Sequence, residues 1–178
     1  MSLFLCPKCG APLEQTDSVY VCPEHHSYDR AKEGYVHLLP VHKMHAKVPG
    51  DSKEMVASRR TFLESGGYEL FREKLVALVL EAMEEQQSPT ILDAGCGEGY
   101  YFRGVEEGLR SAGKTPCLMG FDISKFAVKA AAKRQKTAEF AVASIFHIPV
   151  ADNSVDCLIN VFARMVEAEF CRVLKSGG

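Results

Sequence analysis

The residues best equipped for chemistry open the chain. Cys6-Pro-Lys-Cys9 is followed, after twelve residues, by Cys22-Pro-Glu-His25-His26. A Cys-x-x-Cys turn aims two thiolates at one ion, and a second turn supplies the other two ligands of a tetrahedron suited to zinc. His25 and His26 compete for the fourth position. Four protein ligands leave no place for a reactive water, so the ion's role is structural, and a module held by it largely unfolds without it. A redox reading of Cys6 and Cys9 needs a thioredoxin-like βαβ setting, which the surrounding sequence lacks. The other cysteines, Cys96, Cys117, Cys157 and Cys171, are scattered through apolar segments. That is the pattern of buried free thiols in a reducing compartment, not of a disulfide framework.

The second concentration is Ile91-Leu-Asp93-Ala-Gly95-Cys-Gly97-Glu98-Gly99-Tyr100-Tyr101. Glycines that leave a strand and enter a helix let a ligand approach the backbone closely. A nicotinamide or flavin fingerprint, G-x-G-x-x-G, needs glycine where Tyr100 stands; here Gly99 falls one residue early and Asp93 precedes Gly95 by two. An acid at Asp93 suits a cation and repels a diphosphate. The arrangement resembles motif I of the class I S-adenosylmethionine-dependent methyltransferases, whose ligand brings an amino-acid ammonium and carboxylate to the loop. Asp122 closes Gly120-Phe-Asp122-Ile-Ser124, 23 residues after Gly99. An acid at such a strand end accepts hydrogen bonds from both hydroxyls of a ribose. Cys96, inside the loop, reads as a small packed residue rather than a nucleophile.

These groups require elements to position them. Residues 1–40 hold short strand-like pieces, Ser18 to Val21 and Tyr35 to Leu39, between turn-rich segments. So short a stretch buries little surface and needs a staple. Residues 41–87 read as a linker and connecting helices. Asp51 with Glu54 forms a capping box for a helix that stops at Gly66-Gly67, and Leu70, Phe71, Leu75, Leu78, Val79 and Met83 recur at helical spacing. From residue 88 the texture alternates: strand Thr90–Ala94, a helix to about Ala112, strand Cys117–Asp122, an alanine-rich helix Ser124–Arg134 capped by Ser124, strands Glu139–Ala143 and Val155–Val161, then helix Glu167–Leu174. Alternating strands and helices imply right-handed βαβ units and a parallel sheet, a Rossmann-like, doubly wound α/β fold. Four strands leave that sheet unfinished, so the 178 residues read as a fragment of a longer protein.

The apolar share of 47% supports a buried core. A net charge of −2 argues against a generally basic nucleic-acid binder but leaves room for a local basic surface. Lys43, Lys47, Lys53, Arg59 and Arg60 face only Asp51 and Glu54 in residues 41–60, so the positive field sits early. No apolar run approaches the ~20 residues that span a bilayer, and Met1-Ser-Leu-Phe-Leu5 is too short and uncharged for a signal peptide. The protein reads as cytoplasmic, with no membrane partner.

With both motifs in one chain, the sequence resembles the bacterial 23S ribosomal RNA guanine-N1 methyltransferases over essentially its whole length. Tyr28-Asp-Arg-Ala-Lys-Glu-Gly-Tyr-Val-His-Leu-Leu-Pro40 is similar to that family's segment after the metal module. Pro49-Gly-Asp-Ser-Lys-Glu-Met55 and Arg59-Arg60-Thr-Phe-Leu-Glu-Ser-Gly-Gly-Tyr68 resemble its connecting helix, and Leu92 to Tyr101 its cofactor loop. The resemblance implies methyl transfer from S-adenosylmethionine to N1 of one guanine in a 23S rRNA hairpin loop. It implies zinc ligands at Cys6, Cys9, Cys22 and His26, and cofactor contacts at Tyr68, Gly97 and Glu98 beside Asp93, Gly95, Gly99 and Asp122. It also implies a homodimer whose two zinc modules help form an RNA-binding cleft. In that frame residues 1–40 are a zinc-binding RNA-recognition module and residues 88–178 the first part of the cofactor-binding domain. The alternative is a methyltransferase for a small molecule or protein, with a purely structural zinc.

Family members tend to carry a proline near Arg164, where this chain runs Ala163-Arg-Met-Val166, a region that shapes the target-base pocket. A guanine in folded RNA is reached only when unpaired or extruded. Lys43, Lys47, Arg59 and Arg60 are the candidates for phosphate contacts. Asn160 stands at a strand end suited to a base edge, and Arg164 reads as an exposed helix-start arginine. No side chain in the sequence declares itself as the catalytic base.

Overall fold

The computed structural model describes residues 2–40 and 49–178; Lys43 and Lys47 lie outside them. Three short antiparallel strands, β1 (Glu14–Gln15), β2 (Val19–Val21) and β3 (Ser27–Asp29), form a small sheet near the amino terminus. The larger sheet is parallel throughout, with spatial order β4-β7-β6-β5-β8. Its strands are β4 (Tyr35–His37), β5 (Thr90–Ala94), β6 (Cys117–Asp122), β7 (Glu139–Val142) and β8 (Cys157–Ile159). The helices are α1 (Lys53–Glu64), α2 (Glu69–Ala82), α3 (Tyr100–Ser111), α4 (Lys125–Arg134) and α5 (Glu167–Val173). This is the α/β doubly wound arrangement that the strand–helix alternation implies.

Because successive strand residues point to opposite faces, the sheet sorts the core into two halves. Ile91, Leu118, Phe140 and Val142 pack with Val79 and Met83 of α2, Phe102, Val105 and Leu109 of α3, and Val128 and Ala131 of α4. Their neighbours Leu92, Ala94, Met119, Phe121 and Ala141 point the other way, onto Phe4, Leu13 and Tyr20 of the amino-terminal segment and Val173 of α5. The metal module therefore covers one face of the sheet. Polar contacts fix the same interface: the Ser2 hydroxyl donates to Glu139 at 2.6 Å, and the Leu5 N–H to the Pro149 carbonyl at 2.8 Å.

Two local expectations are corrected. Tyr35 to Leu39, read with the metal module, supplies an edge strand of the parallel sheet, with Tyr35 opposite Phe140 and His37 opposite Val142. The cap of α1 is Ser52, not Asp51: the Ser52 Oγ accepts the Met55 N–H at 3.3 Å and donates to Glu54 at 2.9 Å. Asp51 instead pairs with Arg59, and its carbonyl accepts the Ser124 hydroxyl at 2.6 Å. Ser124 caps α4 as expected, by accepting the Ala127 N–H. No helix among the described residues is long and apolar enough to cross a membrane.

Phe4, fully buried at the junction, tests whether module and sheet share one core. Phe4→Ala is expected to cost about 3–5 kcal/mol and to lower the midpoint of a single urea transition. Leu78→Ala, at a side chain 63% exposed, should shift it by less than about 0.5 kcal/mol. A separate early transition for Phe4→Ala would show that the module unfolds independently.

Candidate functional site

The two cysteine turns converge. Cys6, Cys9, Cys22 and His26 place their ligand atoms within 4.8 Å of one another. The Cys9 and Cys22 sulfurs are 3.6 Å apart, and the His26 Nδ1 is 3.4 Å from Cys22 Sγ and 3.6 Å from Cys6 Sγ. Tetrahedral zinc with its usual bond lengths would set sulfurs ~3.8 Å apart and sulfur and nitrogen ~3.5 Å apart, so the donor set fits that ion. The turn decides between the histidines. His25 takes a left-handed backbone (φ 59°) and stays exposed, which brings His26 round to the sulfurs. Burial raises the Cys6 thiol, but the Tyr28 hydroxyl at 3.0 Å and the Lys8 and Cys9 backbone outweigh it and bring the thiol down to about 6. A thiol so disposed is ready to ligate as thiolate.

The second site lies where the chain changes direction across the sheet. β7 and β8 flank the β6-β5 pair on opposite sides, and ligands of open α/β sheets bind outside the carboxyl ends of strands at such a switch point. There a cavity of about 450 Å³ opens. Gly95, Cys96, Gly97 and Glu98 line it from the turn after β5, Asp122 and Ile123 from the end of β6, and Val161 to Ala163 from the turn after β8. Arg59, Phe62 and Leu63 of α1 and Tyr68 form the opposite wall.

The turn is pinned by its backbone. The Gly95 and Cys96 N–H groups both donate to the Phe121 carbonyl at 2.9 Å, and the Gly97 N–H donates to Asp122 at 3.0 Å. A Cβ on Gly97 would meet nothing within 4 Å, so that backbone is open to a ligand. One on Gly95 would stand 2.4 Å from the Ala163 side chain. Asp93 is buried at the floor, and burial, reinforced by the charge of Asp122, pushes its carboxyl up to about 8. Asp122 is raised chiefly by burial, against the pull of the Ser124 and Gly97 N–H groups. The floor is thus a pair of acids waiting for positive charge or hydroxyl donors.

Residues 85–178 match the family model described as a methyltransferase domain. The chain belongs to the methyltransferase-domain family. Residues 4–47 match the zinc-ribbon model described as RlmA, N-terminal. The 23S rRNA (guanine(748)-N(1))-methyltransferase of Streptomyces fradiae is 33% identical over 97% of this chain and 60% of its own length. A candidate 23S rRNA (guanine-N(1)-)-methyltransferase of Micromonospora griseorubida is 34% identical over 97% of this chain and 62% of its own. The chain therefore spans about 60% of the length of these curated relatives. Among solved structures, a candidate S-adenosyl-L-methionine-dependent methyltransferase of Methanococcus maripaludis shares the fold, with TM-score 0.53 and 18% identity over 76% of this chain and 64% of that one.

Within this methyltransferase domain the expected site residues separate. Tyr68, Asp93, Gly95, Gly97, Glu98 and Asp122 all line one cavity. Gly99 does not; with φ 80° it starts α3 and packs against Ala131 of α4. Glu98, with a side chain 2% exposed, has its carboxylate held by Arg60 and Arg134. Arg59 and Arg60, read as phosphate contacts, are each paired with a carboxylate, Asp51 and Glu98. The Asn160 amide donates to the carbonyls of Ala94 (2.8 Å) and Arg164 (3.3 Å), so it ties the β8 turn to β5 instead of reaching outward. Arg164 lies over the Phe146 ring, 5.2 Å from its centre.

Sequence reading missed the aromatic rim. Tyr68, Phe71, Tyr101 and Phe162 meet with ring centres 5.4–6.3 Å apart, and Phe162 is stacked on Phe71 at an interplanar angle of 27°. Phe162 reaches this position through a left-handed backbone (φ 55°) that no sequence signal announces.

Removing the metal should loosen one whole face of the sheet. Stripping zinc with a chelator is expected to release about one ion per chain and to lower the melting temperature of the entire domain by more than about 10 °C. Cys9→Ser should reproduce the loss. Calorimetry showing an unchanged melt after zinc release would refute this coupling.

Proposed function

We propose that this chain forms the metal module and cofactor-binding portion of an enzyme that transfers a methyl group from S-adenosylmethionine to N1 of a guanine in a 23S rRNA hairpin. The observation that carries the reading is the union of a four-ligand zinc cluster and a switch-point cavity with acidic floor in one core, in a chain whose relatives across its length are named for that reaction. The reading includes a homodimer acting on RNA in the cytoplasm, both supported by the resemblance in the metal module and connecting helix.

The residues divide the work as follows. Asp93 faces the ammonium and Asp122 the ribose hydroxyls. Gly95 and Gly97 let the backbone approach, Tyr68 closes the outer side, and Glu98 holds the turn to α1 and α4 through its arginines. Bound there, S-adenosylmethionine supplies an activated methyl. The protein's contribution is alignment of nucleophile, methyl and sulfur, for which proximity is the chief source of rate, and removal of the N1 proton.

Asp93 gives the binding step a pH signature. A carboxyl raised to about 8 is neutral at pH 6–7 in the free protein and must lose its proton to face an ammonium. Affinity for S-adenosylmethionine should therefore rise about tenfold from pH 6 to pH 7. The same shift makes the folded state bind more protons than the unfolded one above the ordinary carboxylate range, so stability of the free protein declines as pH rises towards 8. In Asp93→Asn, binding measured by calorimetry should be weaker and independent of pH. An unaltered pH slope in that variant would remove Asp93 from the role.

The reaction itself is tested with the complete protein, labelled S-adenosylmethionine and 23S rRNA from cells lacking the enzyme. Label at N1 of a single hairpin guanine is the expected result. Tight cofactor binding with no label on RNA would move the search to other acceptors.

A further inference from the structure

On the far side of α1 from the cofactor cavity lies a larger cavity, of about 910 Å³, bounded also by α4 and the β4–β7 edge. Its charged lining has one sign. Lys53 and Arg60 of α1 and Lys125, Lys129, Lys133 and Arg134 of α4 line it, with no aspartate or glutamate. The pattern follows from α4 itself: Ala127, Val128, Ala130, Ala131 and Ala132 are buried, so the lysines emerge together on the open side. Lys125, Lys129 and Lys133 are four residues apart, a step of ~6 Å along the helix.

Some of this charge is answered locally. Lys129 pairs with Glu33 at 3.2 Å, Arg60 with Glu98, and Arg134 with Glu64 and Glu98. Lys53, Lys125 and Lys133 are exposed and make no ion pair among the described residues. Ile123 is a wall common to this groove and the cofactor cavity, so the groove leads to the mouth of the candidate active site.

We infer that this groove carries the sugar–phosphate backbone of the RNA past the cofactor cavity. This path rests on the RNA reading under Proposed function and adds where the strand runs, on α1 and α4 rather than on the metal module. A ladder of lysines at regular spacing suits the regular repeat of phosphates along a polynucleotide. Such contacts fix position without reading bases, which leaves one nucleotide to be presented, unpaired, at the cavity.

The test uses the complete protein and a 23S rRNA transcript containing the target hairpin, with binding measured against salt. Removing one lysine that neutralises a phosphate should lower the slope of log affinity against log salt by about 0.7–0.9. Lys53→Ala/Lys125→Ala/Lys133→Ala should therefore lower the slope by about 2–3 and weaken binding at ~0.1 M salt at least tenfold. Its melting temperature and its affinity for S-adenosylhomocysteine should match those of the unsubstituted protein. An unchanged slope in the triple variant, with the RNA still methylated, overturns the groove and leaves the functional reading standing. Cofactor binding without any salt-dependent RNA binding by the unsubstituted protein overturns both. Competition by polyglutamate as strong as by the transcript would reassign the groove to an acidic polypeptide and overturn the RNA path.

Discussion

A parallel sheet must be covered on both faces, and that requirement organises this molecule. Helices α2, α3 and α4 cover one face. The other is covered by α5 and by an amino-terminal segment whose strands are two or three residues long, far too short to be stable alone. Two devices make that cover rigid. The Cys6, Cys9, Cys22 and His26 cluster closes it on itself, and Phe4, Leu13 and Tyr20 seat it on the sheet. The metal site is remote from the cofactor turn in sequence, yet both depend on the same strands, since Leu92 and Phe121, packed beneath the module, belong to the strands that end at Asp93–Ala94 and Asp122.

The cofactor cavity works against the ordinary preference for burying neutral groups. Asp93 and Asp122 stand close together with little solvent, and each raises the cost of ionising the other or is itself raised by burial. Asp122 offsets part of this by accepting the Gly97 and Ser124 N–H groups. Those two bonds also fix the glycine turn relative to the start of α4. Glu98 performs the complementary task with full charge: Arg60 and Arg134 meet on it from two helices, so α1 is clamped to the turn it covers.

The chemistry was more legible than the architecture around it. Paired Cys turns and an acid-glycine turn after a strand are local signals, because the ligand geometry forces residue types at short spacing; strands β5 and β6 and the α4 cap followed from equally local patterns. What escaped was set by contacts between distant parts of the chain. Nothing within Tyr35–His37 says that its partner is Phe140–Val142. Arg59 and Arg60 looked like a free basic pair because their partners, Asp51 and Glu98, are brought to them only by the fold. His25 and His26 were separable only through a backbone angle, and Phe162 joined the aromatic rim through another.

The seating of the amino terminus has a consequence for the order of events during synthesis. Ser2 finds its partner, Glu139, 137 positions later in the chain, and β4 cannot join the sheet until β7 has emerged from the ribosome. Pairings between such distant segments form slowly, so the first forty residues wait, with Phe4, Leu13 and Tyr20 in need of cover. The metal cluster uses only residues 6 to 26, all available at the start. Zinc thus acts as a holding clip on the nascent chain, keeping the module shaped until the surface it will cover has been made.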